Sequence, residues 1–123
     1  MAPRQRIFII DDDAAFRKST AGLLDALGFE TELYTSAESF LSSRGIGDFG
    51  ACCALIDIQL EGMTGIELAR RLIETGTPLP IIFITGNGSE ATRRAAAQHA
   101  GAAYLTKPFT AKALTRAIHQ AFD

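Results

Sequence analysis

Apolar runs alternate with amphipathic segments along the whole chain. Five short strand-like runs, four of them mainly apolar, predict β-strands at residues 6–10, 30–34, 51–56, 81–84 and 102–106. The segments between them repeat apolar residues at helical spacing. They predict helices at residues 14–27, from about Thr35 to near Arg44, after Thr64, and at residues 89–100 and 111–122. The order is βα five times, which predicts an α/β fold with a parallel sheet between two helical layers.

The ends of several helices carry recognisable capping residues. Asp13 precedes the first helix and is predicted to cap it, while Gly28 ends it. Thr35-Ser-Ala-Glu38 and Thr64-Gly-Ile-Glu67 both have the spacing of a capping box. The strand at 30–34 alternates polar and apolar residues like an edge strand, whereas 51–56 is apolar throughout like a strand buried on both faces.

Composition narrows the class of protein. A chain of 123 residues with 47% hydrophobic content predicts one domain with a sizeable core. The formal net charge of −2 argues against direct nucleic-acid binding, which needs clustered lysine and arginine. No run approaches the ~20 apolar residues of a membrane helix, and the N-terminal apolar run is too short for a signal peptide. We therefore expect a cytoplasmic protein that binds no membrane.

The cysteines and histidines do not form a metal or redox motif. Cys52 and Cys53 are neighbours within an apolar run, so we interpret them as small buried hydrophobic residues. His99 and His119 both fall on predicted helices, away from the strand ends, and are interpreted as ordinary helix residues.

Polar residues follow four of the predicted strands. Asp11 and Asp12 come after the first, Asp57 after the third, Thr85 after the fourth and Lys107 after the fifth. Sites in open α/β sheets form beyond the carboxyl ends of the strands, so these side chains should converge. Two carboxylates about 5 Å apart repel by roughly 3 kcal/mol at an effective dielectric constant of ~20, so three of them need a cation. Oxygen ligands favour Mg²⁺.

Each of these residues also has a purely structural interpretation. Asp57 could be a turn residue that ends a strand, or a nucleophile that forms an acyl phosphate. Thr85 could simply precede a glycine loop, or donate a hydrogen bond to a phosphoryl oxygen. Lys107 could be an ordinary surface lysine, or pair with carboxylates and phosphate.

Four stretches together resemble the receiver domains of two-component response regulators. They are Ile7-Phe-Ile-Ile-Asp-Asp-Asp13, Ala54-Leu-Ile-Asp-Ile-Gln-Leu-Glu-Gly-Met-Thr-Gly65, Pro80-Ile-Ile-Phe-Ile-Thr-Gly86 and Gly101-Ala-Ala-Tyr-Leu-Thr-Lys-Pro-Phe109. The resemblance implies a flavodoxin-like doubly wound (βα)5 fold with strand order 2-1-3-4-5. It also implies that residues 1–123 are a single receiver, or phosphoacceptor, domain.

The resemblance implies a role for each acid. Asp57 would be the phosphoacceptor. Asp12 and Asp57 would bind Mg²⁺ directly, Gln59 would add its backbone carbonyl, and Asp11 would act through water. Many receivers have proline at the place of Glu61, so the loop after Asp57 is expected to be less rigid here.

The resemblance also implies a switch. Thr85 and Lys107 would contact the phosphoryl group, the Lys107–Pro108 peptide would be cis, and Tyr104 would reorient as Thr85 moves. Gln59 and Asn87 occupy variable places near the site that tune the lifetime of the phosphoryl group.

The implied function is a phosphorylation-dependent signalling switch. A histidine kinase or phosphotransfer protein would donate a phosphoryl group to Asp57, and the fourth helix, fifth strand and fifth helix would carry the response. Its candidate residues are Arg93, Arg94, Tyr104, Lys112 and Arg116. That face would bind an output domain or a second copy, and the resemblance favours a transcriptional output. The domain would be regulatory, assisting only its own phosphorylation and dephosphorylation. The end directly after the last helix favours an excised receiver over a stand-alone one.

Two other functions compete. Haloacid-dehalogenase-type phosphatases also use an aspartate nucleophile with Mg²⁺, and Ile10-Asp-Asp-Asp-Ala-Ala15 partly resembles their motif. However, Ala15 is wrong for that motif and no acidic pair follows Lys107. The alternative is a receiver-like interaction module that is never phosphorylated. Such modules usually lack a site residue, whereas all are present here.

Overall fold

The structure is a computed structural model that describes residues 5–43, 52–76, 79–86, 89–99 and 102–122. Arg44 and Asn87 lie outside the described residues, as do Ala51, Ala100 and the glycines of the predicted loop at 45–50. The strands are β1 (Arg6–Ile10), β2 (Glu30–Tyr34), β3 (Cys52–Asp57), β4 (Ile81–Thr85) and β5 (Ala103–Thr106). The helices are α1 (Ala14–Ala26), α2 (Ala37–Ser43), α3 (Gly65–Glu74), α4 (Glu90–Ala97) and α5 (Ala111–Phe122).

The five strands form one parallel sheet in the order β2-β1-β3-β4-β5. The predicted fold class and strand order are thus confirmed. β3 is buried along its whole length beside β1 and β4, which explains why its sequence is apolar up to Ile56. β2 lies at one edge, as its sequence predicted, but its exposure does not alternate: Glu30 and Leu33 are exposed, whereas the other three residues are half-buried.

Successive strand residues face opposite layers, so the sheet separates two hydrophobic cores. One core joins Phe8, Ile56 and Phe83 to side chains of α2, α3 and α4. The other joins Ile9 and Leu55 to side chains of α1 and α5. Because the strands are parallel, the carboxyl ends of β1, β3, β4 and β5 lie together at one end of the sheet, where the chain leaves each strand.

The predicted cap of α2 is wrong by one residue. Ser36 rather than Thr35 caps the helix, because its hydroxyl accepts the Ser39 backbone N–H at 3.0 Å. The Ser39 hydroxyl in turn accepts the Ser36 N–H at 3.3 Å. Glu38 is thereby free for a contact elsewhere. Asp13 caps α1 as predicted, and Thr64 caps α3 by accepting the Glu67 N–H.

α4 is shorter than predicted, and His99 lies beyond its end. The helix starts at Glu90, because Ser89 is its cap, and it stops at Ala97. His99 instead packs its ring against Phe83, with 5.5 Å between centroids, as the chain turns toward β5. Alanine-rich sequence favours helix beyond this point, but the packing of the turn determines where it ends. His119 lies on α5 as predicted and is exposed.

Cys52 and Cys53 are both buried and unbridged, in agreement with their interpretation as core residues. Burial raises the pKa of the Cys53 thiol to about 12, so this thiol stays protonated at neutral pH. Among the helices of the described residues, none combines the length and the apolar character needed to cross a bilayer.

Candidate functional site

Three carboxylates meet at the carboxyl edge of the sheet. One oxygen from each of Asp11, Asp12 and Asp57 lies within 4.8 Å of the others. Asp11 and Asp12 directly follow β1, whereas Asp57 is the last residue of β3, one residue further along the strand than predicted. Because β1 and β3 are parallel neighbours, these acids from distant parts of the sequence share one end of the sheet.

Asp11 is only 1% exposed, and both its carboxylate oxygens and its backbone carbonyl accept hydrogen bonds. Its Oδ1 accepts the backbone N–H of Asp13 at 2.8 Å. Its Oδ2 accepts from Lys107 Nζ at 2.9 Å. Its backbone carbonyl accepts from Arg17 Nη1 at 2.6 Å. These contacts from α1 and from the segment after β5 fix the orientation of the loop between β1 and α1.

Asp57 is 7% exposed, with its two oxygens in different environments. Oδ1 accepts the backbone N–H of Gln59 at 3.0 Å, while Oδ2 lies 4.0 Å from Lys107 Nζ. Burial raises the pKa of the Asp57 carboxyl above its usual range, and the charges of Asp11 and Asp12 act in the same direction. The Gln59 N–H and Lys107 oppose that shift of the pKa. A cation between the acids would relieve both unfavourable effects.

Lys107 places a positively charged side chain beside Asp11 and Asp57. Its ammonium lies nearer Asp11 than Asp57, and its side chain is 23% exposed. The same nitrogen is 3.9 Å from the centre of the Phe16 ring, a cation–π contact. The Phe16 ring packs edge-on against Phe109, with 5.9 Å between centroids. The Lys107–Pro108 peptide is cis, as the family resemblance implied.

Thr85 and Tyr104 lie on the adjacent strands β4 and β5, two positions apart in the register, because Tyr104 pairs with Phe83. Thr85 is fully buried at the end of β4, next to Ile84, which pairs with Asp57 in the sheet register. Its carbonyl accepts the Lys107 N–H at 2.7 Å. Tyr104 is half-buried, and its hydroxyl has no hydrogen-bond partner among the described residues. The sequence-predicted residues of β1, β3, β4 and β5 therefore converge on one edge.

A close approach of two backbones supports the loop at Asp57. A Cβ atom on Gly65 would collide with the Asp57 carbonyl oxygen and lie 2.9 Å from its carbonyl carbon. It would also lie 2.9 Å from Ile56 Cγ2. Glycine at the first position of α3 therefore lets the helix pack directly on the strand end that carries Asp57.

The sequence interpretation missed three residues that contact the site or its loops. Phe16 contacts Lys107, but as an apolar residue of the first predicted helix it gave no sign of a role at the site. Arg17, which bonds the Asp11 carbonyl, carried no recognisable signal, because its partner is a backbone atom. Glu38 had been assigned to a helix cap, but it accepts the Met63 N–H at 3.1 Å, 25 residues away.

The predicted response face lies on α4, β5 and α5. Arg93, Arg94, Lys112 and Arg116 are exposed there, and the Arg93 guanidinium carbon lies 6.0 Å from the centre of the Tyr104 ring. Gln59 and Glu61 are exposed in the loop between β3 and α3. Asn87, the other variable position, is outside the described residues.

A family model for the response regulator receiver domain matches residues 7–119 of the chain. Among curated proteins, the transcriptional regulatory protein FixJ of Bradyrhizobium diazoefficiens is 36% identical over 98% of this chain and 58% of its own length. The response regulator protein TmoT of Ectopseudomonas mendocina is 32% identical over 94% of this chain and 51% of its own length. The chain thus spans a little more than half the length of these curated relatives.

Solved structures agree with the sequence matches. A crystal structure of FixJ-N has a TM-score of 0.87 and 30% identity, covering 98% of this chain and 94% of that one. A CheY-like receiver domain protein from Methanospirillum hungatei has a TM-score of 0.85 and 31% identity, covering 98% and 95%.

Proposed function

The chain belongs to the response regulator receiver domain family, and from that premise we propose that Asp57 is the residue through which it is switched. The observation that carries the proposal is the cluster of Asp11, Asp12 and Asp57 beside Lys107. Receiver domains are regulatory units of two-component systems. We propose that residues 1–123 act as one phosphoacceptor unit of this kind.

The donor atoms fit a magnesium ion. Three carboxylates within 4.8 Å of one another are hard oxygen donors, and their mutual repulsion disfavours ionisation of all three without a cation. Asp12, Asp57 and the backbone carbonyl of Gln59 would hold Mg²⁺ directly, with Asp11 acting through water. When bound, the ion would neutralise charge on the phosphoryl oxygens and on the acids that face them.

The chain's own side chains account for positioning the nucleophile. We propose that Asp57 Oδ2 attacks, because Oδ1 is already held by the Gln59 N–H. The phosphorus–nitrogen bond of a donor phosphohistidine breaks as the new phosphorus–oxygen bond forms, and the imidazole leaves with the electron pair. Lys107, which pairs with Asp11 without phosphate, then contacts the phosphoryl oxygens, together with the Thr85 hydroxyl.

The response follows from the added charge. Phosphorylation brings about −1.5 to −2 charges to the site. Attraction of Thr85 and Lys107 toward that charge shifts β4 and the cis Lys107–Pro108 segment, and Tyr104 reorients beside them. The face formed by α4, β5 and α5 then changes its population of two conformations.

Partners follow from the same proposal. A histidine kinase or phosphotransfer protein supplies the phosphoryl group, and the response face binds an output domain or a second copy of the receiver. FixJ is named a transcriptional regulatory protein, so we propose a transcriptional output without direct nucleic-acid binding by this domain. We also propose that the domain assists its own phosphorylation from a small donor and its own dephosphorylation.

The test is phosphorylation by acetyl phosphate with Mg²⁺, followed by intact mass and by loss of the label with time. Wild type should gain one phosphoryl group, D57N none, and D13N as much as wild type, because asparagine also caps a helix. Absence of an Asp57-dependent change would favour a module that is never phosphorylated. Turnover of a phosphomonoester that D11N removes and D57N retains would favour a phosphatase.

A further inference from the structure

The loop that follows Asp57 is anchored at its base and again near its tip. The Gly65 N–H donates to the Ile58 carbonyl at 3.0 Å and closes the base. Near the tip, the Met63 N–H donates to Glu38 Oε2 at 3.1 Å, which ties the loop to α2. Two elements on the same face of the sheet are therefore joined by a side chain that bonds to loop backbone.

The loop is shaped around this carboxylate. Gly62 has φ +76°, and a Cβ atom there would lie 2.7 Å from Glu38 Oε2, so glycine permits both the backbone conformation and the close passage. Residues 58–64 contain no proline, and Glu61 leaves the loop without the restriction of φ that proline imposes. Contacts made by the loop must therefore restrict its conformation.

Glu38 is well suited to accept a backbone donor. The Met63 N–H lowers the pKa of the Glu38 carboxyl, with smaller effects in the same direction from its own N–H and from Arg71 on α3. The carboxylate is therefore ionised at neutral pH. An ionised carboxylate only accepts hydrogen bonds, which suits a backbone N–H as its partner.

A short stretch of backbone connects the tip of the loop at Met63 to Asp57. Leu60 is 5% exposed and belongs to the core beneath the loop, while Met63 packs against the same core. Gln59 lies between this anchored part and Asp57, and its N–H bonds the Asp57 carboxylate. Movement of the Met63 backbone would therefore be passed along four residues to the backbone of Gln59.

We propose that Glu38 is a positioning residue for the phosphoryl-transfer site. By holding the Met63 N–H, it fixes the loop that places the Gln59 backbone against Asp57. The inference rests on the proposed function, since it assigns Glu38 a role in the same Mg²⁺-dependent reaction. Its contribution comes from the acceptor oxygen rather than from the negative charge.

The test compares E38Q, E38A and E38D with wild type. Gln keeps an acceptor oxygen at the same reach, Ala removes it, and Asp keeps the charge but withdraws the oxygen from Met63. E74A, which removes an exposed glutamate from α3, is the matched control. Three quantities are measured: the Mg²⁺ dissociation constant, the rate of phosphorylation by acetyl phosphate, and hydrogen exchange of the Met63 amide without metal.

We expect E38A and E38D to bind Mg²⁺ and to be phosphorylated about threefold to tenfold less well, as for one lost hydrogen bond. The Met63 amide should exchange faster in both, while E38Q and E74A stay close to wild type. If E38A does not fold, E38D decides the question. Unchanged Mg²⁺ affinity and rate in E38D, or an equal loss in E38Q, would overturn the role of Glu38. Wild type that is never phosphorylated would instead overturn the proposed function.

Discussion

Replacing Gly65 with alanine should destabilise the protein and slow phosphorylation of Asp57. The new Cβ would lie 2.9 Å from both the Asp57 carbonyl carbon and Ile56 Cγ2, and would collide with the Asp57 carbonyl oxygen. These neighbours are strand backbone and a buried side chain, so the strand end or the start of α3 must move. Overpacking of this kind typically costs about 1–3 kcal/mol.

A partial gain opposes that cost. Alanine is favoured over glycine in helix interiors by up to about 1 kcal/mol, and less at a first helical position such as residue 65. The net effect should be a loss of roughly 1–2 kcal/mol in the free energy of unfolding. For a chain of this length, each kcal/mol corresponds to about 4 °C in Tm. The clash falls on the backbone of Asp57, so we expect this residue to shift and phosphorylation to slow by roughly tenfold.

Gly22 offers a matched control with the opposite sign. It lies in the interior of α1, is exposed, and a Cβ there would meet nothing within 4 Å. G22A should therefore stabilise the protein by about 0.5–1 kcal/mol and leave phosphorylation unchanged. Urea denaturation and acetyl phosphate labelling measure both properties. G65A as stable and as reactive as wild type would refute the argument that steric contact requires glycine here.

Three further predictions concern the charged groups of the site. The folded state raises the pKa of Asp57, so the unfolding free energy falls as pH rises from the ordinary value of ~3.9 through the folded pKa. D57N should thus be more stable than wild type at pH 7, and the difference should vanish below about pH 4. Thermal unfolding without divalent cations measures both stabilities, and equal stability at pH 7 would contradict the prediction. Mg²⁺ at 100 times its dissociation constant should raise the unfolding free energy of wild type by about 2.7 kcal/mol, but not that of D12N, as a calorimetric titration would show. F16L should lower the free energy of unfolding by about 1 kcal/mol or more, because it loses the contact with Lys107, whereas F16Y should retain that contact. A double-mutant cycle of F16L with K107M should give a coupling energy of about 0.5–1 kcal/mol, and a coupling energy of zero would exclude the cation–π contact.

Glu38 shows how one expectation changed. The sequence pattern predicts that it takes part in the cap of α2, while the lower rigidity expected from Glu61 in place of proline stays a prediction. In the structure, Ser36 caps that helix and Glu38 instead bonds the loop at Met63. The sequence is compatible with either role for Glu38, because a glutamate near the start of a helix can bond to the backbone of its own helix or to a neighbouring loop.

The order of elements and the location of the site were predictable from the sequence. Period-two and helical spacing depend only on local geometry, and in a parallel sheet every strand ends at the same edge. Asp11, Asp57 and Lys107 could therefore be brought together from their positions after strands alone. The strand order came from the resemblance to receiver domains, since local patterns do not specify which strands pair.

Only the tertiary structure decided the contacts between elements that are distant in sequence. The direction of the Asp57 pKa shift depends on how burial, two neighbouring acids and Lys107 combine, and these quantities exist only after packing. The same holds for the Phe16 ring beside Lys107, for the Gly65 backbone against Asp57, and for the end of α4 before His99. Sequence patterns record which side of an element is buried, whereas distances across the fold determine what each buried or charged group meets there.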